Sequence, residues 1–279
     1  MTDKYELDTK SYSKMKTWGE KFSDGNVSLS EQKISQSWKP IFDKLLNDKR
    51  FKQRTEKTLS DDLTENKNLM INPLPDLVFN AFVLTSLKKL KVVFIGQDPY
   101  FDHEVYENKK NKTNINVPQA MGLSFSVPHG IKVPSSLNNI YRNLEKNKHI
   151  NQIPKHGNLE SWAEQGCLML NSALTVKDGK DNKNCHQYAW EWFTNEIISY
   201  ISENKDHVIF VLWGAYAYKK ESIIDQTKHK LIVSSHPSGL SAGKPMGKYP
   251  AFNNEDHFGK INEQLKEWNM EEIDWDNSD

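Results

Sequence analysis

Val92-Val93-Phe94-Ile95-Gly96-Gln97-Asp98-Pro99-Tyr100 runs a short β-branched and aromatic stretch into a glycine, then a carboxylate, a proline and an aromatic ring. The unbroken apolar run has the pattern of a strand buried on both faces of a parallel sheet. In open α/β sheets, ligands bind just beyond the carboxyl ends of such strands. Asp98 is therefore expected at the mouth of a site, on a loop stiffened by Pro99. Taken alone, the segment also fits a strand that ends in an ordinary Asp-Pro turn.

Two other stretches repeat the design. Leu231-Ile232-Val233 leads into Ser234-Ser235-His236-Pro237-Ser238-Gly239-Leu240-Ser241-Ala242. Cys167-Leu168-Met169-Leu170 leads into Asn171-Ser172-Ala173-Leu174-Thr175. Together the three resemble the signatures of the family-1 uracil-DNA glycosylases, which carry a GQDPY loop, an LLLN strand and an HPSPLS loop. Gly122-Leu123-Ser124-Phe125-Ser126-Val127-Pro128 is similar to the uracil-stacking segment of that family. Pro134-Ser135-Ser136-Leu137 is similar to its backbone-pinching loop. The motifs occur in the family's order, and the resemblance runs from about Trp38 to Trp275.

The chain of 279 residues is long enough for one α/β domain of ordinary size. Eight Trp, ten Tyr and twelve Phe can supply its core. There is no run of about 18 apolar residues, so no membrane-spanning helix is expected. The N-terminus is polar, carries both charge signs and does not read as a secretion signal. Cys167, in a predicted core strand, and Cys185, in a predicted loop, read as reduced thiols of an intracellular compartment. No CxxC pair or HExxH motif argues for zinc, and neither metal nor cofactor is expected.

Net charge is zero, with 37 basic and 37 acidic residues, which taken alone argues against DNA binding. The distribution answers this. Residues 263–279 carry seven acids and one base, and without them 36 basic residues face 30 acidic ones. Lys219, Lys220, Lys228, Lys230, Lys244 and Lys248 surround the His236 loop in sequence and are candidates for a basic face.

Residues 1–29 read as a flexible polar extension and 30–279 as a single glycosylase-like domain. A helix is expected from Ser30 through Trp38, Ile41, Phe42 and Leu45, and a charged connection over 57–70. Residues 102–117 read as a long polar surface loop, an insertion relative to the family near the mouth of the site. Ser135 or Ser136 can cap a helix through Ile140 and Leu144. Strands at Val92–Ile95, Cys167–Asn171, His207–Trp213 and Leu231–Ser234, separated by helical patterns, predict a three-layer α/β sandwich. Its centre is a four-stranded parallel twisted sheet with helices on both faces.

The resemblance implies a monofunctional DNA glycosylase of base excision repair, with these residues in its site. Asp98 would stabilise positive charge on the sugar and orient water. His236 would donate to uracil O2 as a neutral imidazole, with backbone N–H groups at Gln97 and Asp98 assisting. Asn171 offers one donor and one acceptor to uracil N3–H and O4, a match that cytosine inverts. Tyr100 would exclude the thymine methyl, and Phe125 would stack on the flipped base. Leu240 would fill the space the base leaves. Ser135, Ser136, Ser238 and Ser241 would bind backbone phosphates.

The implied partners are uracil-containing single- and double-stranded DNA, a proteinaceous uracil-glycosylase inhibitor, and replication or repair proteins. A monomer is expected. Two departures stand out: Gly239 replaces a proline of the family loop, and Phe101 stands where a histidine is usual. A fold kept as a DNA-binding scaffold is one alternative. A Ser-His-Asp hydrolase built from Ser238, His236 and Asp98 is another, although no GxSxG elbow is present.

Overall fold

The computed structural model describes residues 9–108 and 113–277. Its strands are β1 (Ile71–Asn72), β2 (Val92–Gly96), β3 (His103–Asn108), β4 (Thr113–Pro118), β5 (Cys167–Asn171), β6 (Val176–Lys177), β7 (Ile209–Trp213) and β8 (Lys230–Ser234). The central sheet has the order β5-β2-β7-β8, and all its pairs are parallel. The three strands β2, β5 and β7 are buried at every residue, as continuous apolar runs demand. The edge strand β8 is partly exposed.

The register aligns the site. Gly96 at the end of β2 lies opposite Asn171 at the end of β5, and Trp213 of β7 opposite Ser234 of β8. The connection from β2 to β5 carries the helices Ser135–Lys146 and Glu160–Glu164. The connection from β5 to β7 carries Gln187–Asn204 and runs back across the sheet. Right-handed crossovers in opposite directions put these helices on opposite faces. The crevice between β2 and β5 is thus a topological switch point, where open α/β sheets hold ligands.

Aromatic side chains fill both faces. Phe94 and Trp213, from two strands, meet Trp162, Phe258 and Trp275 on one side. Phe42, Phe79, Phe82, Trp190 and Phe193 from helices cluster on the other.

Several expectations change. The packed core begins before residue 30: Trp18 is 1% exposed and donates its indole N–H to Pro73 O at 2.9 Å, and Val27 and Leu29 are buried. An apolar residue every few positions in a polar stretch was enough to anchor it; the expected extension's first eight residues lie outside the described ones. The helix expected from Ser30 starts later, as a 3₁₀ turn at Gln36–Trp38 followed by Lys39–Leu46. The expected charged connection at 57–70 holds the helix Lys57–Glu65, whose Leu59, Asp62 and Leu63 are buried. The 102–117 insertion is not an irregular loop, because β3 and β4 pair antiparallel from His103↔Pro118 to Asn108↔Thr113. Its tip, 109–112, lies outside the described residues. Among the described residues no helix is long and apolar enough to cross a membrane.

Candidate active site

A cavity of about 520 Å³ opens at the carboxyl ends of β2 and β5. Gln97, Asp98, Tyr100 and Phe125 line it together with Asn171 and His236. Ser135 and Ser136 form one part of its rim, and Ser238, Leu240 and Ser241 another. Every site residue expected from the sequence is thus gathered around one opening.

Asp98 sits on a turn fastened across the sheet. Ser172 N–H donates to Gly96 O at 3.0 Å and Ala173 N–H to Gln97 O at 2.9 Å. The carboxylate Oδ2 accepts from Asn184 N–H at 3.2 Å. Asn184 is held in the left-handed region, at φ 65°, and its side-chain oxygen accepts from Gln97 Nε2 at 2.7 Å. Burial pushes the Asp98 carboxyl above its ordinary range, while the Asn184 N–H and the Lys183 charge pull part of the way back. The Gln97 side chain is turned to Asn184 through its amide nitrogen.

His236 faces the same space with a fixed tautomer. Ser238 N–H donates to its Nδ1 at 3.0 Å, so Nδ1 keeps a lone pair and the hydrogen sits on Nε2. Burial, helped by the nearby Lys183 charge, pushes its pKa down to about 4. The ring is therefore neutral at physiological pH and presents an N–H donor. This geometry excludes the Ser-His-Asp arrangement, in which Nδ1–H would donate to the carboxylate. Here Nδ1 accepts instead, and Asp98 engages Asn184.

Asn171 lies at the end of β5, 7% exposed, and among the described residues its amide has no hydrogen-bond partner. Gly96 makes room for it: a Cβ there would stand 2.1 Å from Asn171 Oδ1. Tyr100 donates its hydroxyl to Phe125 O at 3.2 Å. Phe125 adopts φ 63°, unusual for a bulky residue, and its ring lies 5.7 Å from Trp213 and 6.0 Å from His236. The aromatic wall is thus held by its own backbone and by two neighbouring rings.

On the rim, the helix Ser135–Lys146 takes Pro134 as its N-cap, with no side-chain cap bond. The expected capping by Ser135 or Ser136 is absent because both lie inside the first turn, where they line the cavity. Asn139 Nδ2 donates to Pro237 O at 2.8 Å and ties this helix to the His236 loop. That loop is closed by Ser241 N–H and Ala242 N–H on Ser238 O, at 2.9 and 2.8 Å. Leu240 projects from it, 86% exposed.

A family model described as the uracil DNA glycosylase superfamily matches residues 82–266. The chain belongs to this superfamily. It is 40% identical to the probable uracil-DNA glycosylase of Acanthamoeba polyphaga mimivirus, over 94% of this chain and 70% of that one. It is 40% identical to the uracil-DNA glycosylase of Helicobacter hepaticus, over 90% of this chain and 98% of that one. The crystal structure of mimivirus uracil-DNA glycosylase superposes with a TM-score of 0.84, covering 94% of each chain at 40% identity. A substituted mimivirus UNG in complex with UGI gives 0.86, covering 97% of this chain and 98% of that one at 40% identity.

Within this superfamily framework, sequence reasoning missed three groups. Lys183 lines the cavity. Asn184 holds both Asp98 and Gln97. Behind them, buried His186 pairs through Nε2 with Asp62 at 2.8 Å and through Nδ1 with Thr175 Oγ1 at 2.8 Å. Asp62 also pairs with Lys177. No local pattern marks these residues, which lie in a polar run or on a helix taken for a connection. The expected basic face is smaller than the sequence suggests. Lys220 is 3% exposed and pairs with Glu191 at 2.9 Å.

Proposed function

We propose that this chain is a metal-independent, monofunctional uracil-DNA glycosylase that initiates base excision repair. The observation that carries the proposal is a buried carboxylate, a neutral imidazole and an unpartnered Asn amide converging on one cavity: Asp98, His236 and Asn171. Breaking the bond between C1′ and N1 sends its electron pair to the base and leaves positive charge on the sugar. Asp98 stabilises that sugar and orients a water, whose oxygen bonds C1′. The water's proton leaves by way of the carboxylate. Nε2–H of His236 donates to O2 of the departing uracil anion. A neutral donor keeps its proton while strengthening this bond as charge builds up.

Asn171 selects uracil over cytosine, since the wrong base would leave buried polar atoms unpaired. Tyr100 and Phe125 close the pocket against C5 and the base face. Ser135, Ser136, Ser238 and Ser241 hold phosphates around the flipped nucleotide, and Leu240 occupies the vacated stack. Uracil-containing single- and double-stranded DNA are the substrates. A proteinaceous inhibitor of the kind bound to the mimivirus protein, and replication or repair proteins, are the expected partners of a monomer acting wherever the DNA is.

The test is incubation with EDTA and single-stranded DNA carrying one uracil, with and without hot alkali afterwards. Cleavage is expected only after alkali, and only with the wild type when Asp98→Asn runs alongside. Strand breaks without alkali would contradict a monofunctional enzyme. Intact DNA after alkali, despite measurable binding, would make the chain a scaffold.

A further inference from the structure

Among the described residues that line the cavity, Lys183 is the only lysine or arginine. Its ammonium is exposed, and no carboxylate pairs with it among the described residues. The loop beneath it is built rather than loose. A 3₁₀ turn at Lys180–Asn182 precedes it, and Asn182 Nδ2 donates to Asp178 O at 2.6 Å. Asn184 follows at once, locked to Asp98 and Gln97, and His186 anchors the far side to Asp62. The backbone that carries Lys183 is thus held beside the carboxylate. The serines that line the same cavity offer phosphates neutral hydroxyls but no charge.

The Lys183 charge reaches the reacting groups, lowering the carboxyl of Asp98 and the imidazole of His236. Phe101, which also lines the cavity, has a side chain without a hydrogen-bond donor. Among the described residues that line the cavity, an anion entering beside Asp98 therefore meets the Lys183 cation alone. DNA delivers such an anion with every nucleotide.

We propose that Lys183 binds a backbone phosphate flanking the flipped nucleotide, and so supplies the charged member of a phosphate grip whose other members are the rim serines. The proposal rests on the glycosylase reading for the identity of the ligand. One phosphate contact releases one condensed counterion, which sets its signature. Binding of a single-stranded oligonucleotide with one uracil is measured across salt concentrations in the Asp98→Asn background, where turnover should be slow. Lys183→Met should weaken binding about tenfold at physiological salt and make the slope of log K against log salt shallower by about 0.7. Lys183→Arg should restore both. In the otherwise wild-type enzyme, Lys183→Met should raise KM and leave kcat within about twofold.

Should Lys183→Met fail to fold, as its melting temperature would show, Lys183→Ser gives the same comparison. An unchanged slope would overturn the proposal. So would a fall in kcat at constant KM with a displaced acid limb, since Lys183 would then act only through Asp98. Absence of uracil release by the wild type would instead sink the glycosylase reading and leave the salt slope to judge the phosphate contact.

Discussion

At the residue scale, two side chains of opposite demand share the cavity: the proposed mechanism needs Asp98 charged and His236 neutral. Asp98→Asn and His236→Leu should each lower single-turnover uracil release by at least about two decades while the melting temperature stays near that of the wild type. Tyr100→Ala should release thymine from thymine-containing DNA if, as proposed, the ring occupies the place of the C5 methyl; no thymine release would remove Tyr100 from that role. Asp98, Asn171 and His236 were legible because each lies at the end of a strand or within two residues of it, and strand ends in such sheets meet at one edge. Asn184 was not legible: its value lies in a backbone N–H aimed at a carboxylate 86 residues earlier in the chain. Only the fold creates that pairing.

The turn after β2 and the loop 178–186 form one unit at the scale of elements. Gly96 shows how tightly β2 and β5 meet. Gly96→Ala would place a Cβ 2.1 Å from Asn171 Oδ1 and 2.9 Å from Ser124 Cβ. Asn171 must then shift, and uracil release should fall by about tenfold or more, with discrimination against cytosine eroded. Behind the loop, burial opposes the charges of Asp62 and His186, but their mutual hydrogen bond outweighs it: together with Lys177 it lowers the Asp62 pKa, and together with the Cys185 thiol it raises that of His186.

The sign follows for each group. The contribution of Asp62 is present above its unfolded value near 3.8 and is lost as pH falls through its lower folded value. That of His186 is complete below 6.5 and is lost as pH rises through its higher folded value. Asp62→Asn should therefore cost about 3 kcal/mol near pH 5 and less at pH 9, where Lys177 remains as partner. Thermal melts at the two pH values check this. The hairpin β3–β4 was unreadable because its alternation is weak and polar. Its pairing is carried by backbone bonds, which any sequence can make.

On the scale of the whole molecule, charge is segregated along the strands. The acidic C-terminal segment packs near their amino ends: Glu271 pairs with Lys91 just before β2, and Gln165 just before β5 bonds Asp274. Trp275, 2% exposed, anchors it against Trp162. The cavity lies at the other end, roughly 17 Å away by the rise of a five-residue strand. Screening over about 8 Å at physiological salt hides these acids from bound DNA. Zero net charge is thus compatible with a DNA-binding face. Glu271→Lys with Glu272→Lys should change affinity for single-stranded DNA less than about twofold at physiological salt, in contrast to Lys183→Met. The parallel sheet and its two helical layers were legible from composition and spacing. The placement of the tail was not, because it depends on two buried tryptophans meeting across the core.

The most direct measurement is the pH dependence of single-turnover uracil release under saturating enzyme. Ionised Asp98, with its carboxyl above the ordinary range, and His236, charging only near about 4, place both losses on the acid side. The rate should rise with pH through the acid range and stay level from neutrality upward. Asp98→Asn should remove most of the rise, and His236→Leu should lower the plateau. A rate that falls as pH increases through about 6.5, the ordinary imidazole range, would show that a protonated His236 does the work and would contradict the mechanism.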